Sequence, residues 1–227
     1  MSIDSPALRI ADLSFRYSRA GADWRVRVDH FQVAPGELVL LRGSSGCGKS
    51  TLLNLIAGVL DAESGKIEVD GDDITRMMPV VRDRLRGSKI GIIFQTFNLL
   101  HGFSAIENVM MAMKFGRVPT REHRKRAADL LAHLGITSVD SPPDRLSVGQ
   151  QQRVAIARAL ACDPVIVLAD EPTASLDPEN ARTAVELIRS ACLDRGASLL
   201  CVSHDPSLGE GFDRVLTFAD LSAAGAA

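Results

Sequence analysis

Apolar residues recur with two periods along the chain, and the period switches several times. Positions 8–17 and 25–28 alternate apolar with polar residues, which predicts half-buried strands. Positions 37–41 form a continuous apolar run, the pattern of a strand covered on both faces. A helix is expected from Lys49, since Leu52, Leu53, Ile56 and Ala57 fall on one face and Gly58 stands near its end. Positions 65–71 read as a strand closed by a turn, and 90–94 as a buried strand ending at Gln95.

From Ser104 the pattern becomes helical, and Ser104 with Glu107 matches a capping box. A second helix is expected over 120–134, stopped by Gly135, and a third over 148–161, ended by Asp163-Pro164. Strand-like runs return at 165–169, 198–202 and 215–218, with a helix from Pro178 to about Arg195 between the first two. Strands alternating with helices predict a parallel α/β core. The stretch 104–160 then reads as a helical subdomain inserted between core segments 1–103 and 161–221, with a flexible Ala/Gly tail over 222–227.

Composition narrows the class without naming a chemistry. At 227 residues the chain is long enough to bury its own core, and 46 % hydrophobic with 24 % charged residues excludes a disordered chain. Its 26 basic and 28 acidic residues leave a net charge of −2, so there is no electrostatic case for nucleic acid or an anionic membrane as partner. The longest run free of Asp, Glu, Lys and Arg, 90–106, has 17 residues and carries Gln95, Asn98 and His101, too short and too polar to span a bilayer. The first residues lack a basic-then-apolar leader pattern, so the chain is expected to be soluble and to stay inside the cell. Cys47, Cys162, Cys192 and Cys201 form no Cys-x-x-Cys pair and are expected as reduced thiols, and the five histidines lack zinc-ligand spacing.

Three segments carry chemistry. Gly43-Ser44-Ser45-Gly46-Cys47-Gly48-Lys49-Ser50 fits G-x-x-x-x-G-K-[ST] between an expected strand and an expected helix. Glycines let backbone N–H groups close around phosphate oxygens, and the helix N-terminus adds the positive end of its dipole. Lys49 then reaches the outer phosphates and the Ser50 hydroxyl sits on Mg²⁺. A simple Gly-rich turn is the plainer alternative, and the strand–loop–helix context argues against it. Positions 165–169 run into Asp170 and Glu171 at the strand end where parallel sheets bind ligands. Two adjacent carboxylates can divide the work, one holding Mg²⁺ and one polarising water. Leu146-Ser147-Val148-Gly149-Gln150 opens a helix whose Ser147 and Gln150 match a capping box, and such a helix start is also an anion site. Asp177-Pro178 and Asp205-Pro206 read as N-caps followed by Pro, His204 stands just past a buried strand, and Tyr17 and Gln95 carry no signal individually.

Together and in this order, these segments resemble the ATPase subunit of ATP-binding cassette (ABC) transporters, over nearly the whole chain. The resemblance implies an α/β fold: a P-loop NTPase core with a parallel sheet, an N-terminal antiparallel β subdomain and an inserted helical subdomain. It implies ATP and Mg²⁺ as ligands. It makes Tyr17 the aromatic that stacks on adenine, and Gly43, Ser44, Ser45, Gly46, Cys47, Gly48, Lys49, Ser50 and Thr51 the phosphate loop. Gln95 becomes the glutamine that senses Mg²⁺ and the attacking water, Asp170 the Mg²⁺-site aspartate and Glu171 the general base. Ser147, Gly149 and Gln150 belong to the signature that contacts the ATP of the opposing subunit, Asp177 crosses the dimer interface, and His204 holds the γ-phosphate. The implied partners are a second copy of the chain, closing over two ATP, and an integral membrane permease on the cytoplasmic face of the cell membrane.

Positions 94–100 and 107–110 further resemble the lipoprotein-release and macrolide/peptide-export group, in which hydrolysis moves a permease with a large periplasmic domain. A cell-division relative is similar in sequence, which leaves a non-transport role on a membrane partner open. Val148 departs from the family, which usually has Gly there; a β-branched residue fits only at negative φ, and slower closure is expected. A P-loop kinase would share 43–51 but would need neither the signature nor Glu171. A chromosome-organising protein would carry a long coiled coil in the 97 positions from Ser50 to Ser147, where no heptads are sustained. Phe97, Leu99, Leu100 and Phe103 fall in an expected loop after Gln95, where they should divide between packing the helical lobe and forming a docking groove for the permease.

Overall fold

The computed structural model describes residues 5–19, 22–174, 176 and 178–223. In chain order its elements are β1 (Leu8–Arg19), β2 (Ala22–Val33), β3 (Leu38–Arg42), α1 (Lys49–Ile56), β4 (Ser64–Val69), β5 (Asp72–Asp73), α2 (Pro79–Lys89), β6 (Ile90–Ile93), α3 (Ala105–Phe115), α4 (His123–His133), α5 (Val148–Leu160), β7 (Ile166–Asp170), α6 (Pro178–Leu193), β8 (Ser198–Ser203), β9 (Arg214–Thr217) and α7 (Asp220–Ala223).

Five strands make a parallel sheet in the order β6-β7-β8-β3-β9. Their residues are apolar on both faces because both faces are covered. In β3, Leu38 and Leu40 enter one core, Val39 and Leu41 another. Strand β8 divides in the same way, Leu199 and Cys201 against Leu200 and Val202, as does β7, Val167 and Ala169 against Ile166 and Leu168. The two-residue period of a strand produces this division. The first core is completed by α3, α4, α5 and α6. The second is completed by α1 and by an antiparallel sheet in the order β2-β1-β4-β5.

Strand β1 places Leu8 and Ile10, then Leu13 and Phe15, in that second core, so its alternation slips by one residue. The slip coincides with a register shift against β4 between Ala11 and Ser14, where Asp12 takes φ 50. Gly91 of β6 serves a packing need: a Cβ there would stand 2.4 Å from the Ala159 carbonyl oxygen, so only glycine lets α5 lie directly on the strand.

Both capping boxes form, with Ser104 N donating to Glu107 Oε2 at 2.8 Å and Ser147 N donating to Gln150 Oε1 at 2.9 Å. The helix expected over 120–134 begins as a 3₁₀ turn (Thr120–Glu122), becomes α4, and is ended by Gly135 at φ 74. Helix α2 has no counterpart in the sequence reading. Only Leu85 of it is buried, while Val80 and Val81 are exposed, so it carries no apolar stripe to detect. Ser222, which the sequence reading puts in the tail, lies in α7 and donates from Oγ to Arg27 O at 2.9 Å. Among the described residues no helix is long and apolar enough to cross a membrane.

Candidate functional site

The loop between β3 and α1 turns at the C-terminal edge of the parallel sheet, where the Gly43 N–H donates to Ser203 O at the end of β8 (3.3 Å). Gly48 precedes α1 at φ 115, a conformation that glycine adopts without penalty, and no side chain caps the helix. The first N–H groups of a helix have no partner within it, so Lys49, Ser50 and Thr51 offer amide donors at this point. They border a cleft of about 260 Å³ that is also lined by Ser45, Gly46, Gly48, Gln95, Glu171 and His204. Cys47 contributes backbone to the loop, while its sulfur packs against Gly43, where an added Cβ would stand 2.6 Å away.

Lys49 is buried. Its ammonium donates to the Gly43 carbonyl at 2.7 Å and the Ser44 carbonyl at 3.0 Å, and it lies 3.2 Å from Glu171 Oε1. Ser50 Oγ donates to Asp170 Oδ1 at 2.9 Å. Burial pushes the Asp170 carboxyl above its ordinary value and the adjacent Glu171 charge adds to this, while the Ser50 hydrogen bond and Lys49 pull the other way.

Glu171 leaves β7 at φ 46, a left-handed backbone that costs a non-glycine residue about 1–2 kcal/mol. Its N–H still donates to Val202 O at 3.0 Å, so the turn begins inside the sheet. That turn aims one carboxylate at two elements, Oε1 toward Lys49 and Oε2 to the His204 ring Nδ1 at 2.7 Å and the His204 N–H at 3.3 Å.

The donor set fits Mg²⁺. Hydroxyl and carboxylate oxygens are its preferred ligands, and a cation would relieve the cost of burying Asp170 beside a second carboxylate. Mg²⁺ takes one or two protein ligands together with phosphate and water, and Ser50 with Asp170 is a pair of that kind.

Gln95 lies two residues beyond β6. Behind it Phe97 and Asn98 both have left-handed backbones, φ 59 and 47, and their carbonyls accept from Arg158 of α5 at 2.5 and 2.6 Å. The next stretch is held by Asn108 of α3, fully buried, whose Oδ1 accepts from Leu100 N and whose Nδ2 donates to the Leu100, Phe103 and Ser104 carbonyls. Neither residue is a candidate on pattern. The signal for Arg158 was a charge inside an otherwise apolar helical run, 154–160.

Tyr17 stands edge-on to Phe15, ring centroids 4.7 Å apart, and Ser147, Gly149 and Gln150 open α5; none of these lines the cleft. Val148 is the first residue of α5, free of positive φ and 52 % exposed, so its branched side chain fits without strain. Asp177 lies outside the described residues. A second depression, of about 550 Å³, lies between α2, β6, α3 and α5 and is lined in part by Arg86, Phe94, Ala112, Phe115, Arg158 and Cys162. Of the four apolar loop residues, Phe97 and Leu99 are buried and Leu100 and Phe103 exposed. Phe97 and Leu99 therefore take the packing duty expected from sequence, whereas Leu100 and Phe103, expected to form a groove, do not line this depression.

Residues 26–174 match the family model described as ABC transporter. Over 214 residues the chain is 44 % identical to an uncharacterized ABC transporter ATP-binding protein of Mycobacterium tuberculosis (strain ATCC 25618 / H37Rv), a match covering 92 % of this chain and 64 % of that protein. The chain thus spans less than two-thirds of the length of that relative. Over 192 residues it is 41 % identical to the macrolide export ATP-binding/permease protein MacB of Syntrophobacter fumaroxidans, covering 83 % of this chain and 27 % of that one. Among solved structures it resembles the ATP-binding cassette MJ0796, a dimer in a post-hydrolysis state bound to ADP and Pi, with TM-score 0.78 and 31 % identity over 92 % of this chain and 93 % of that one. It also resembles cbiO1 from Clostridium perfringens, part of the ABC transporter complex cbiONQ, with TM-score 0.82 and 31 % identity over 94 % and 85 %.

Proposed function

Because the chain belongs to the ABC transporter ATP-binding family, we propose that it hydrolyses ATP as one of a pair of nucleotide-binding subunits driving a membrane permease. The observation that carries this reading is the convergence at an uncapped helix N-terminus of Ser50 with Asp170, Lys49 with Glu171, and His204 with Glu171, linked at 2.7 to 3.2 Å.

The loop amides and Lys49 bind the phosphates, and Ser50 and Asp170, with Gln95 nearby, are the residues that would hold Mg²⁺. Mg²⁺, when bound, neutralises charge on the phosphate oxygens. Gln95 orients the attacking water. Glu171 takes its proton as the water oxygen bonds to the γ-phosphorus and the bond to the β-phosphate oxygen breaks, giving ADP and phosphate. His204, hydrogen-bonded to Glu171, holds the γ-phosphate.

Tyr17 stacks on adenine, and Ser147, Gly149, Gln150 and Asp177 act across an interface between two copies. A signature that lies outside its own cleft supports such a shared site, as does the dimeric state of the cassette MJ0796. Residues 104–160 move as a lobe against the core segments when the pair closes. The depression beside Phe94 then receives a helix of the permease, and its position next to Gln95 links closure to movement of the partner. Similarity to MacB, an ATP-binding/permease protein, supports a partner of that kind, with the subunit held at the cytoplasmic face of the membrane and an export or extrusion substrate.

Titration with a fluorescent ATP analogue tests the reading. Wild type should saturate, and Lys49→Ala should weaken binding by at least about tenfold, or ~1.4 kcal/mol, without loss of cooperative unfolding. Equal affinity of the two would contradict it.

A further inference from the structure

We infer that Arg158 is a positioning residue whose guanidinium fixes the turn presenting Gln95 to the cleft and ties that turn to the helix carrying Ser147, Gly149 and Gln150. The catalytic part of this inference rests on the function proposed above.

Phe97 and Asn98 are consecutive non-glycine residues in left-handed conformation, and for a bulky phenylalanine that backbone is a true outlier. Such a turn persists only when its surroundings over-determine it. Three constraints are visible. The Phe97 N–H donates to Phe94 O at 3.0 Å and the Asn98 N–H to Thr96 O at 2.7 Å, so the turn is tight. The Phe97 ring is buried in the core shared by α3 and α5. The third is Arg158, one planar fork that takes the carbonyls of both strained residues.

Among the described residues the partners of the Arg158 guanidinium are carbonyls and not carboxylates, and partial burial lowers its pKa from the ordinary arginine value. A half-buried guanidinium without a carboxylate partner gives up part of its hydration, and hydrogen bonds to carbonyls are what offset that cost. Its two bonds go to the backbone two and three residues beyond Gln95.

The geometry also joins two sides of the molecule. Helix α5 begins with the signature, and its Gln152 makes a longer contact of 3.4 Å to the carbonyl of Pro172, the residue after Glu171. Arg158, two turns further along the same helix, holds the turn after Gln95 and also lines the depression assigned to the permease. A shift of the permease helix against that depression therefore reaches Gln95 through one side chain.

The test compares Arg158→Gln, which removes charge and fork, with Arg158→Lys, which keeps the charge but reaches one carbonyl at a time. Hydrogen–deuterium exchange of the amides over 96–103 should quicken by about tenfold or more in Arg158→Gln and less in Arg158→Lys, with β7 and α1 unchanged. Affinity for the ATP analogue should stay within about twofold, while kcat falls by about tenfold in Arg158→Gln and is partly rescued in Arg158→Lys. With Gln95 already replaced by Ala, Arg158→Gln should cause no further loss of kcat, since it acts through that residue. Unchanged exchange over 96–103, a kcat loss that multiplies in the Gln95→Ala background, or failure of both variants to unfold cooperatively would each overturn the assignment. A wild-type chain without ATPase activity would instead overturn the proposed function, and the exchange comparison would still decide the clamp.

Discussion

Asp170 and Glu171 are adjacent in the chain, and the fold gives them different surroundings. Asp170 ends β7 bonded to the Ser50 hydroxyl, while Glu171 turns out of the sheet at positive φ to meet Lys49 and His204. Because burial raises the Asp170 pKa, its ionised form is disfavoured in the folded chain relative to the unfolded one. The resulting penalty is present above the raised value and vanishes as pH falls below the ordinary 3.8. Asp170→Asn should therefore raise the thermal midpoint of the nucleotide-free chain at neutral pH and leave it unchanged in acid, while removing the Mg²⁺ dependence of nucleotide binding. Scanning calorimetry at the two pH values checks this, and a gain of equal size at both would reject it. The site residues legible from sequence were those whose chemistry is local: Lys49 and Ser50 are set by loop spacing, and the two carboxylates by the end of an apolar strand. Arg158 was not legible, because its partners lie about sixty positions away and only the fold brings them together.

At the scale of elements, the same distinction separates the caps from α2. Ser104–Glu107 and Ser147–Gln150 are visible as sequence because each box closes within one helical turn. Helix α2 is held by Leu85 and by surface charge pairs such as Arg82 with Asp61, which no periodicity announces. The slip in β1 was equally hidden, since it depends on pairing with β4. The first box makes a stability prediction. Ser104→Ala should cost about 1 kcal/mol, read from the urea midpoint at neutral pH. The Ser104 N–H and, after it, the Ser104 hydroxyl donate to the Glu107 carboxylate and hold it below its ordinary 4.5; the hydroxyl's share, which Ser104→Ala removes, is complete above that value and is lost as pH falls through the lower folded value. The difference between wild type and Ser104→Ala should shrink over that acid range to what the Glu107 N–H bond to Ser104 Oγ supplies, and a difference independent of pH would exclude the bond from the Ser104 hydroxyl to the Glu107 carboxylate as a contributor.

The whole molecule divides its apolar surface between two duties. The central sheet feeds two cores that need no partner, whereas Phe115 stays 68 % exposed at the rim of the depression between α2, β6, α3 and α5. Large exposed apolar side chains grouped around a concavity mark interaction surfaces. Phe115→Ser should leave nucleotide binding and unfolding near wild type and reduce association with the permease, measured by co-purification of the two. Undiminished association would remove this depression from the interface.

The central claim is that two copies complete each other's sites, cleft of one against signature of the other. Glu171→Gln tests it most directly, because the amide cannot accept the proton of the attacking water and bound ATP persists. Light scattering of this variant on a sizing column should give the mass of a single chain without nucleotide and twice that mass at saturating MgATP. A single-chain mass at saturating MgATP, with binding of the nucleotide verified, would contradict the account.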